Sequence, residues 1–232
     1  MTTTTATAAT SVPSSSTLKF LPADVEDIPK LIDVWYAALD LGDMIPDTPK
    51  VREWYHNMFH NDFKDSETQP MVYLKVVDTA TGQIVAFANW LWGDTIKPWK
   101  NRYPPLVDDM NVSAAEAFFG GVDANRQRIM GEKRHYCMWA SCSYDKRLLA
   151  NNCCFFETVL ALLGTDPSYR RRGIGSALVK WGCDQADQSG LPVYVDASPE
   201  GLPLYQKFGF APNDPAGSLL MVPMVRSPVL IQ

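Results

Sequence analysis

The chain has 232 residues, of which 46% are hydrophobic and 20% charged, and its 21 basic against 26 acidic side chains leave a net charge of −5. That composition supports one sizeable buried core and excludes a wholly disordered chain, a coiled coil and a collagen-like repeat. The acidic balance argues against a general basic field for nucleic acid or an anionic membrane, so neither is expected as a partner.

Residues 1–16 (MTTTTATAATSVPSSS) are almost entirely Thr, Ala and Ser, and read as a disordered tail unable to offset its ordering entropy. Order is expected from a short strand at Leu18-Lys19-Phe20-Leu21. A helix follows, capped by Asp24, with Ile28, Leu31, Ile32, Trp35 and Leu39 on one face and Pro29 in its first turn. Thr48-Pro49 opens a second helix with the stripe Val51, Trp54, Tyr55 and Met58. The runs 71–77 and 84–92 flank a turn containing Gly82 and read as a β-hairpin.

Residues 93–111 hold Pro98, Pro104 and Pro105 and read as a loop, and 113–131 as a helix with Ser113 and Glu116 as its capping box. Further on, 159–165 is an apolar strand and 166–169 a turn. A helix over 173–189 carries Ile174, Ala177, Leu178 and Trp181 on one face, with Gly190 as its stop. Strand 193–197, a short helix over 200–208 stopped by Gly209, and a last strand over 219–225 complete a mixed α/β layer architecture.

The chemistry concentrates in Arg170-Arg171-Arg172-Gly173-Ile174-Gly175-Ser176, between a strand and a helix. Glycines there admit close backbone approach, and the new helix leaves its first N–H groups unpaired at the positive end of its dipole. Such a terminus suits a phosphate or pyrophosphate, and three arginines add bidentate donors. The Walker string Gly-x-x-x-x-Gly-Lys-[Ser/Thr] does not occur. A dinucleotide fingerprint matches Gly173-Ile174-Gly175 and Asp196, but Ala177-Leu178 stands where its third glycine belongs, and three arginines intrude before its first.

Five cysteines in a chain without a secretory signature read as reduced thiols. Four of them (137, 142, 153, 154) lie in 137–159, a stretch without clear period before Phe155. Its C-x₄-C-x₁₀-C-C spacing is poor for a tetrahedral metal site, so no metal is expected. Its codons can be written as an intron instead. TGT for Cys137 ahead of Met138-Trp139 gives a donor site, Ala150-Asn151 as GCTAAC a branch site, and Thr158-Val159 an acceptor. In-frame excision joins His135-Tyr136 through one Phe or Leu to Leu160 and leaves an uninterrupted strand. The segment 137–159 is thus read as an insertion or retained intron within a domain over 17–232. The fold is expected to survive it, with Phe155, Phe156, Thr158 and Val159 as substitute strand residues.

Leu162-Leu163-Gly164-Thr165-Asp166-Pro167, Arg170-x-x-Gly173-x-Gly175-Ser176, Asp196-Ala197-Ser198 and Leu204-Tyr205-Gln206-Lys207-Phe208-Gly209-Phe210 together resemble the GNAT superfamily of acyl-CoA-dependent N-acyltransferases, its small fungal members most of all. The specific part covers 160–210, and the upstream order agrees from about residue 18. The resemblance implies a mostly antiparallel mixed sheet, splayed at the coenzyme A site and flanked by helices. It implies that acetyl moves from acetyl-CoA to a primary amine by direct attack in a ternary complex. Leu163, Gly164 and Thr165 would pair with the pantetheine arm, Arg170, Arg171, Arg172, Gly173, Ile174, Gly175 and Ser176 would cradle pyrophosphate, and Ser198 would also bind the co-substrate. An N–H near Leu163 would polarise the thioester carbonyl, and Tyr205 would be the general acid for the departing thiolate.

Asp196, Glu157, His56, His60 and His135 stand as alternatives for the base, beside ordered water. Acceptor choice is expected from the first two helices and 93–131, with Trp90, Trp92 and Trp99 lining an amine pocket or packing the hairpin. The acceptor, a small amine or a peptide amine, is not named by the sequence, nor is the oligomeric state. No run reaches the roughly 18 apolar residues of a membrane span, and no signal peptide is visible, so a cytoplasmic or nuclear compartment is expected. Two other readings stand beside transfer: an acyl-CoA-binding protein of the same fold without turnover, and a dinucleotide-binding oxidoreductase.

Overall fold

The structure is a computed structural model, and it describes residues 17–65, 71–93, 97–131, 157–213 and 221–229. The 1–16 tail, His135, Cys137, Cys142, Cys153, Cys154, Phe155 and Phe156 lie outside the described residues. Of the 137–159 segment only 157–159 is described.

In chain order come β1 (Leu18–Pro22), α1 (Ile28–Ala38), α2 (Pro49–Asp65), β2 (Met71–Asp78) and β3 (Gln83–Gly93). Then follow α3 (Trp99–Arg102), α4 (Val112–Met130), β4 (Glu157–Thr165), α5 (Ile174–Ser189), β5 (Val193–Ala197), α6 (Leu202–Gln206), β6 (Ala211–Pro212) and β7 (Val222–Arg226). The sequence missed the short α3 and β6, and it began β4 two residues late. The Ser113 capping box does not form. Asn111 caps α4 instead, its side chain accepting from the Ala114 N–H at 3.1 Å. Asn is as good an N-cap as Ser, and the helix starts one residue earlier. Asp24 caps a single tight turn at 25–27 that leads into α1. Thr48 caps α2, its hydroxyl accepting from the Val51 N–H.

The strands form one seven-stranded sheet in the order β1-β2-β3-β4-β5-β7-β6. Every joint is antiparallel except β4–β5. A dinucleotide fingerprint needs a doubly wound parallel sheet, and this topology removes that context.

Strand alternation sorts the core onto two faces. Phe87, Leu91 and Tyr194 meet α1, α2 and α4 on one. Ala88, Trp90, Val193 and Val195 meet α5 and α6 on the other. Helix α5 buries Ile174, Leu178, Val179, Gly182, Cys183 and Ala186. Ala177 and Trp181, expected in that stripe, are only half-buried, and Trp181 meets Trp92 edge-on at 5.9 Å. Cys183 is a buried free thiol whose burial pushes its pKa up to about 11. It therefore stays a protonated, unreactive core group.

Helix α5 presses on the sheet at Gly182, where an added Cβ would lie 2.1 Å from the indole ring of Trp90, which is itself fully buried. Gly121 of α4 has nothing within 4 Å of an added Cβ. Two Gly→Ala changes in helices should therefore have opposite signs. Gly121→Ala should stabilise by about 0.5–1 kcal/mol through helix propensity. Gly182→Ala should destabilise by about 1–3 kcal/mol through overpacking. Urea unfolding of the two variants measures both.

Candidate active site

The parallel joint between β4 and β5 has only two rungs, Thr158 with Val193 and Val159 with Tyr194. Beyond them β4 runs to Thr165 and β5 to Ala197 without pairing, while β5 stays zipped to β7 along its whole length. The sheet is therefore forked, and β4 presents a free edge to the gap.

Which groups line that edge follows from the antiparallel ladder with β3. The Asp166 N–H donates to the Val85 carbonyl at 2.9 Å, so the Gly164–Phe87 and Leu162–Asn89 pairs, two and four residues back, are the hydrogen-bonded ones. Leu163 and Thr165 then turn their N–H and C=O groups toward the fork. The Thr165 carbonyl is accordingly free to accept from Arg170 Nε at 3.4 Å. An extended ligand can add to such an edge as an extra strand. Gly164 keeps α1 close beneath, since a Cβ there would meet Phe87 at 3.1 Å and Ala38 at 3.4 Å.

One feature of this edge was invisible in the sequence. The register slips between Asn89 and Trp90, so β4 carries an extra residue at Ala161. Ala161 and the next residue, Leu162, both pack toward α1 and α2. A bulge of this kind bends the strand and re-aims its backbone groups at the mouth of the fork.

The edge leads straight into 166–176. Asp166 caps the turn at 167–169, accepting from the Ser168 N–H, and Tyr169 O–H donates to Asp78 Oδ2 at 2.9 Å. That bond fixes the loop to the β2–β3 turn. Arg171 is left-handed at φ 64°, and Gly173 is left-handed at φ 81° ahead of the right-handed α5. This backbone sequence gathers successive N–H groups into a concave nest. The first helical bond runs from the Ala177 N–H to the Gly173 carbonyl, leaving Ile174, Gly175 and Ser176 N–H groups for an anion. Gly175 lets α5 meet α6, its Cβ position lying 3.4 Å from Leu204.

The three arginines, all exposed, have different tasks. Arg170 donates to the Ala38 carbonyl at 2.9 Å and so ties the loop to the C-terminus of α1. Arg172 donates to the Ser168 carbonyl and lies over the Tyr169 ring at 4.6 Å. Arg171 makes no contact among the described residues. Ser198 is also engaged, its hydroxyl accepting from the Gly201 N–H at 3.2 Å in the turn that precedes α6.

Tyr205 sits on α6, 6% exposed, with its ring edge-on to Phe210 at 5.6 Å. Burial pushes its phenol well above the ordinary value, so it holds its proton. Phe210 is buried and Phe208 half-buried, as core residues. Asp196 lies on β5 with Oδ1 accepting from Tyr194 O–H at 3.0 Å, and burial raises its carboxyl to about 7. His56 and His60 stand on the exposed face of α2, and the Glu157 side chain lies outside what is described.

The tryptophan pocket does not form. Trp90 and Trp92 pack on the α5 face, whereas Trp99 meets Tyr103 and Phe119 near α4 on the opposite one. Two residues apart on one strand, Trp90 and Trp92 must share a face, and the sheet separates them from Trp99. No three potential metal ligands gather among the described residues. No helix among them is long and apolar enough to cross a membrane.

Residues 45–210 match the model of the acetyltransferase (GNAT) family. The chain belongs to that family. Its fold is shared by a mosquito arylalkylamine N-acetyltransferase like 5b, at TM-score 0.58 and 11% identity over 90% of this chain and 99% of the other. It is shared too by the PaiA N-acetyltransferase of Thermoplasma acidophilum in complex with coenzyme A, at TM-score 0.52 and 14% identity over 90% and 98%. A probable acyltransferase SID5 of Ajellomyces capsulatus is 42% identical over 41 residues, 18% of this chain and 30% of that protein. The matched family is one of acetyltransferases, and the match to the Ajellomyces protein spans under a third of its length.

The nest depends on the left-handed Gly173. Gly173→Ala should cost about 1–2 kcal/mol of stability and weaken binding of inorganic pyrophosphate. Gly175→Ala, whose Cβ makes only ordinary contact, should leave stability nearly unchanged. Urea unfolding with and without pyrophosphate checks the pair.

Proposed function

We propose that the protein transfers acetyl from acetyl-CoA to a primary amine by direct attack in a ternary complex. One observation carries this: the free edge at Leu163 and Thr165 runs without a break into the anion nest at 173–176. An extended amide arm ending in a pyrophosphate matches both parts at once. The Thermoplasma relative, determined with coenzyme A, supports the same choice of co-substrate.

In this reading, Leu163, Gly164 and Thr165 bind the pantetheine arm as an added strand. Arg171, Arg172, Gly173, Ile174, Gly175 and Ser176 receive the pyrophosphate. Arg170 holds the loop against α1 and donates to the pyrophosphate from the rim, and Ser198 reaches the co-substrate from the turn before α6. A backbone N–H near Leu163 polarises the thioester carbonyl. Tyr205 gives its proton to the sulfur as the C–S bond breaks. The acceptor is a small amine or a peptide amine. The net charge of −5 favours a cationic one through long-range attraction.

The domain is proposed to span 17–232, with the 138–158 stretch a translated intron inside it. A local misfit accompanies it: Thr158 is wholly buried, and its hydroxyl has no hydrogen-bond partner among the described residues. An orphaned buried hydroxyl costs about 1–3 kcal/mol. The spliced chain places Tyr136 at that position. Sequencing of mature message should find transcripts lacking these codons, and continuous reads in every transcript would reject the intron.

Saturating acetyl-CoA should raise the unfolding temperature, by the equivalent of about 2.7 kcal/mol at 100 times its dissociation constant. NADH and ATP should have no comparable effect. With 2-phenylethylamine as probe acceptor, Tyr205→Phe should lower kcat by about 10²-fold or more while coenzyme A affinity stays within about twofold. Equal losses in both would assign Tyr205 to the core.

A further inference from the structure

The transfer reading leaves one proton unassigned, and the inference drawn from the fork rests on that reading. An ammonium group must lose a proton before its nitrogen can attack. The β4–β5 register, continued two residues past Val159–Tyr194, brings Asp196 level with the bulge residue Ala161. Asp196 therefore stands across the gap from the strand edge that meets the thioester. Tyr194 packs with Ile129 and Met130 of α4, and Asp196, two residues on, shares that face.

Tyr205 belongs to the opposite, α5-side face. A base on one face and an acid on the other is what direct attack requires, with the amine entering and the thiolate leaving from different sides.

The carboxylate is half-buried and only lightly committed. Oδ1 takes the Tyr194 hydrogen bond, and among the described residues Oδ2 has no partner. The charged groups facing this pair come from α4. They are Arg126 and Asp123, which approach each other to 3.7 Å, and Arg128, which donates to the Asn213 carbonyl. At the level of Asp196, β4 offers Ala161 and β7 offers Pro223, neither titratable. Burial pushes the carboxyl up and Asp123 adds to this. The Tyr194 bond and Arg126 pull it down, and the balance is about 7. A base is most useful with a pKa near the working pH.

We propose that Asp196 is the general base that takes the proton from the acceptor's ammonium group. The freed nitrogen bonds to the thioester carbon and the C–S bond breaks. Tyr205 protonates the sulfur, and the second nitrogen proton restores Tyr205. The products are the amide, the free thiol, and a proton that Asp196 passes to solvent.

Two probe amines test this. 2-Phenylethylamine is protonated at neutral pH and needs a base before it can attack. Hydroxylamine is already neutral there and does not. Thiol release from acetyl-CoA is followed against pH for the unaltered chain, Asp196→Asn and Tyr194→Phe. Asp196→Asn should lower kcat/KM for 2-phenylethylamine by about 10²-fold and abolish the acid limb near 7, while hydroxylamine stays within about threefold. Tyr194→Phe removes a bond that favours the charged carboxylate, so the acid limb should move to higher pH. Acetyl-CoA affinity should be unchanged in both variants.

Equal losses for the two amines, or an acid limb that survives Asp196→Asn, would overturn the assignment. So would an unaltered chain that binds acetyl-CoA yet releases thiol with neither amine. An unaltered chain that does not bind acetyl-CoA would instead overturn the transfer reading beneath it.

Discussion

Two backbone rungs, Thr158–Val193 and Val159–Tyr194, join the halves of the sheet, and the site exists because there are no more. A third and fourth rung, Leu160–Val195 and Ala161–Asp196, would draw β5 along β4 and narrow the mouth of the fork below Leu163 and Thr165. Two rungs alone could not hold the halves in register, so the burden passes to the helices on either face. Helix α5 packs under β3 and β4, with Trp90 seated on Gly182. At its far end Asp187 takes a bidentate pair from Arg226 of β7, both bonds at 2.7 Å. On the opposite face α4 reaches from the Met44 carbonyl, bonded by Asn111, to β5 and β7. The gap is thus spanned above and below while its edges stay free.

An open edge carries its own cost, because unpaired N–H and C=O groups invite wrong partners. The chain limits it by keeping the edge inside the sheet, between two strands, and by occupying the Thr165 carbonyl with Arg170. The left-handed Arg171 adds local strain of about 1–3 kcal/mol. A ligand that supplies a strand and an anion together would offset both costs. The same two-sidedness separates the two proposed proton-handling groups: burial raises the Asp196 carboxyl to about 7 on the α4 side, and burial holds the proton on Tyr205 on the α5 side.

What the sequence disclosed was whatever local backbone chemistry decides. The glycines at 173, 190 and 209 all have positive φ; α5 starts after Gly173 and stops before Gly190, whereas α6, expected over 200–208, spans only 202–206. The β-hairpin and the α2 cap were legible for the same reason. What it concealed was set by register and by distance. The bulge at Ala161 has no residue signature, because an alanine in an apolar run is ordinary strand. Asp196 was one base candidate among several, since its raised pKa comes from burial, with Arg126 of α4, seventy positions earlier in the chain, pulling against it. The arginine run read as three phosphate ligands, and Arg170 and Arg172 also bond carbonyls of the fold with part of their guanidinium groups. Composition could not divide their labour, because a guanidinium serves either purpose.

In the proposed transfer, acceptor choice is assigned to the connection between β3 and β4. Adjacent antiparallel strands need a link of only about two to five residues, and here α3 and α4 intervene. They are not loosely attached. Asp62 of α2, almost wholly buried, accepts from Tyr73 O–H at 2.8 Å, Asn89 Nδ2 at 3.2 Å and Arg102 of α3 at 3.2 Å. A buried ion pair contributes little net stability against a well-packed apolar alternative, but breaking one partner costs about 3–5 kcal/mol. Such a pair fixes position more than it adds strength. Here it fixes α3, and through the Trp99 N–H bond to Asp123 it fixes the middle of α4 as well. That is the stretch of α4 whose charges face Asp196. The wall of the acceptor side is therefore pinned to the core independently of the edge and nest. In the proposed transfer, substitutions along that wall would change which acceptor enters while leaving the edge and nest undisturbed.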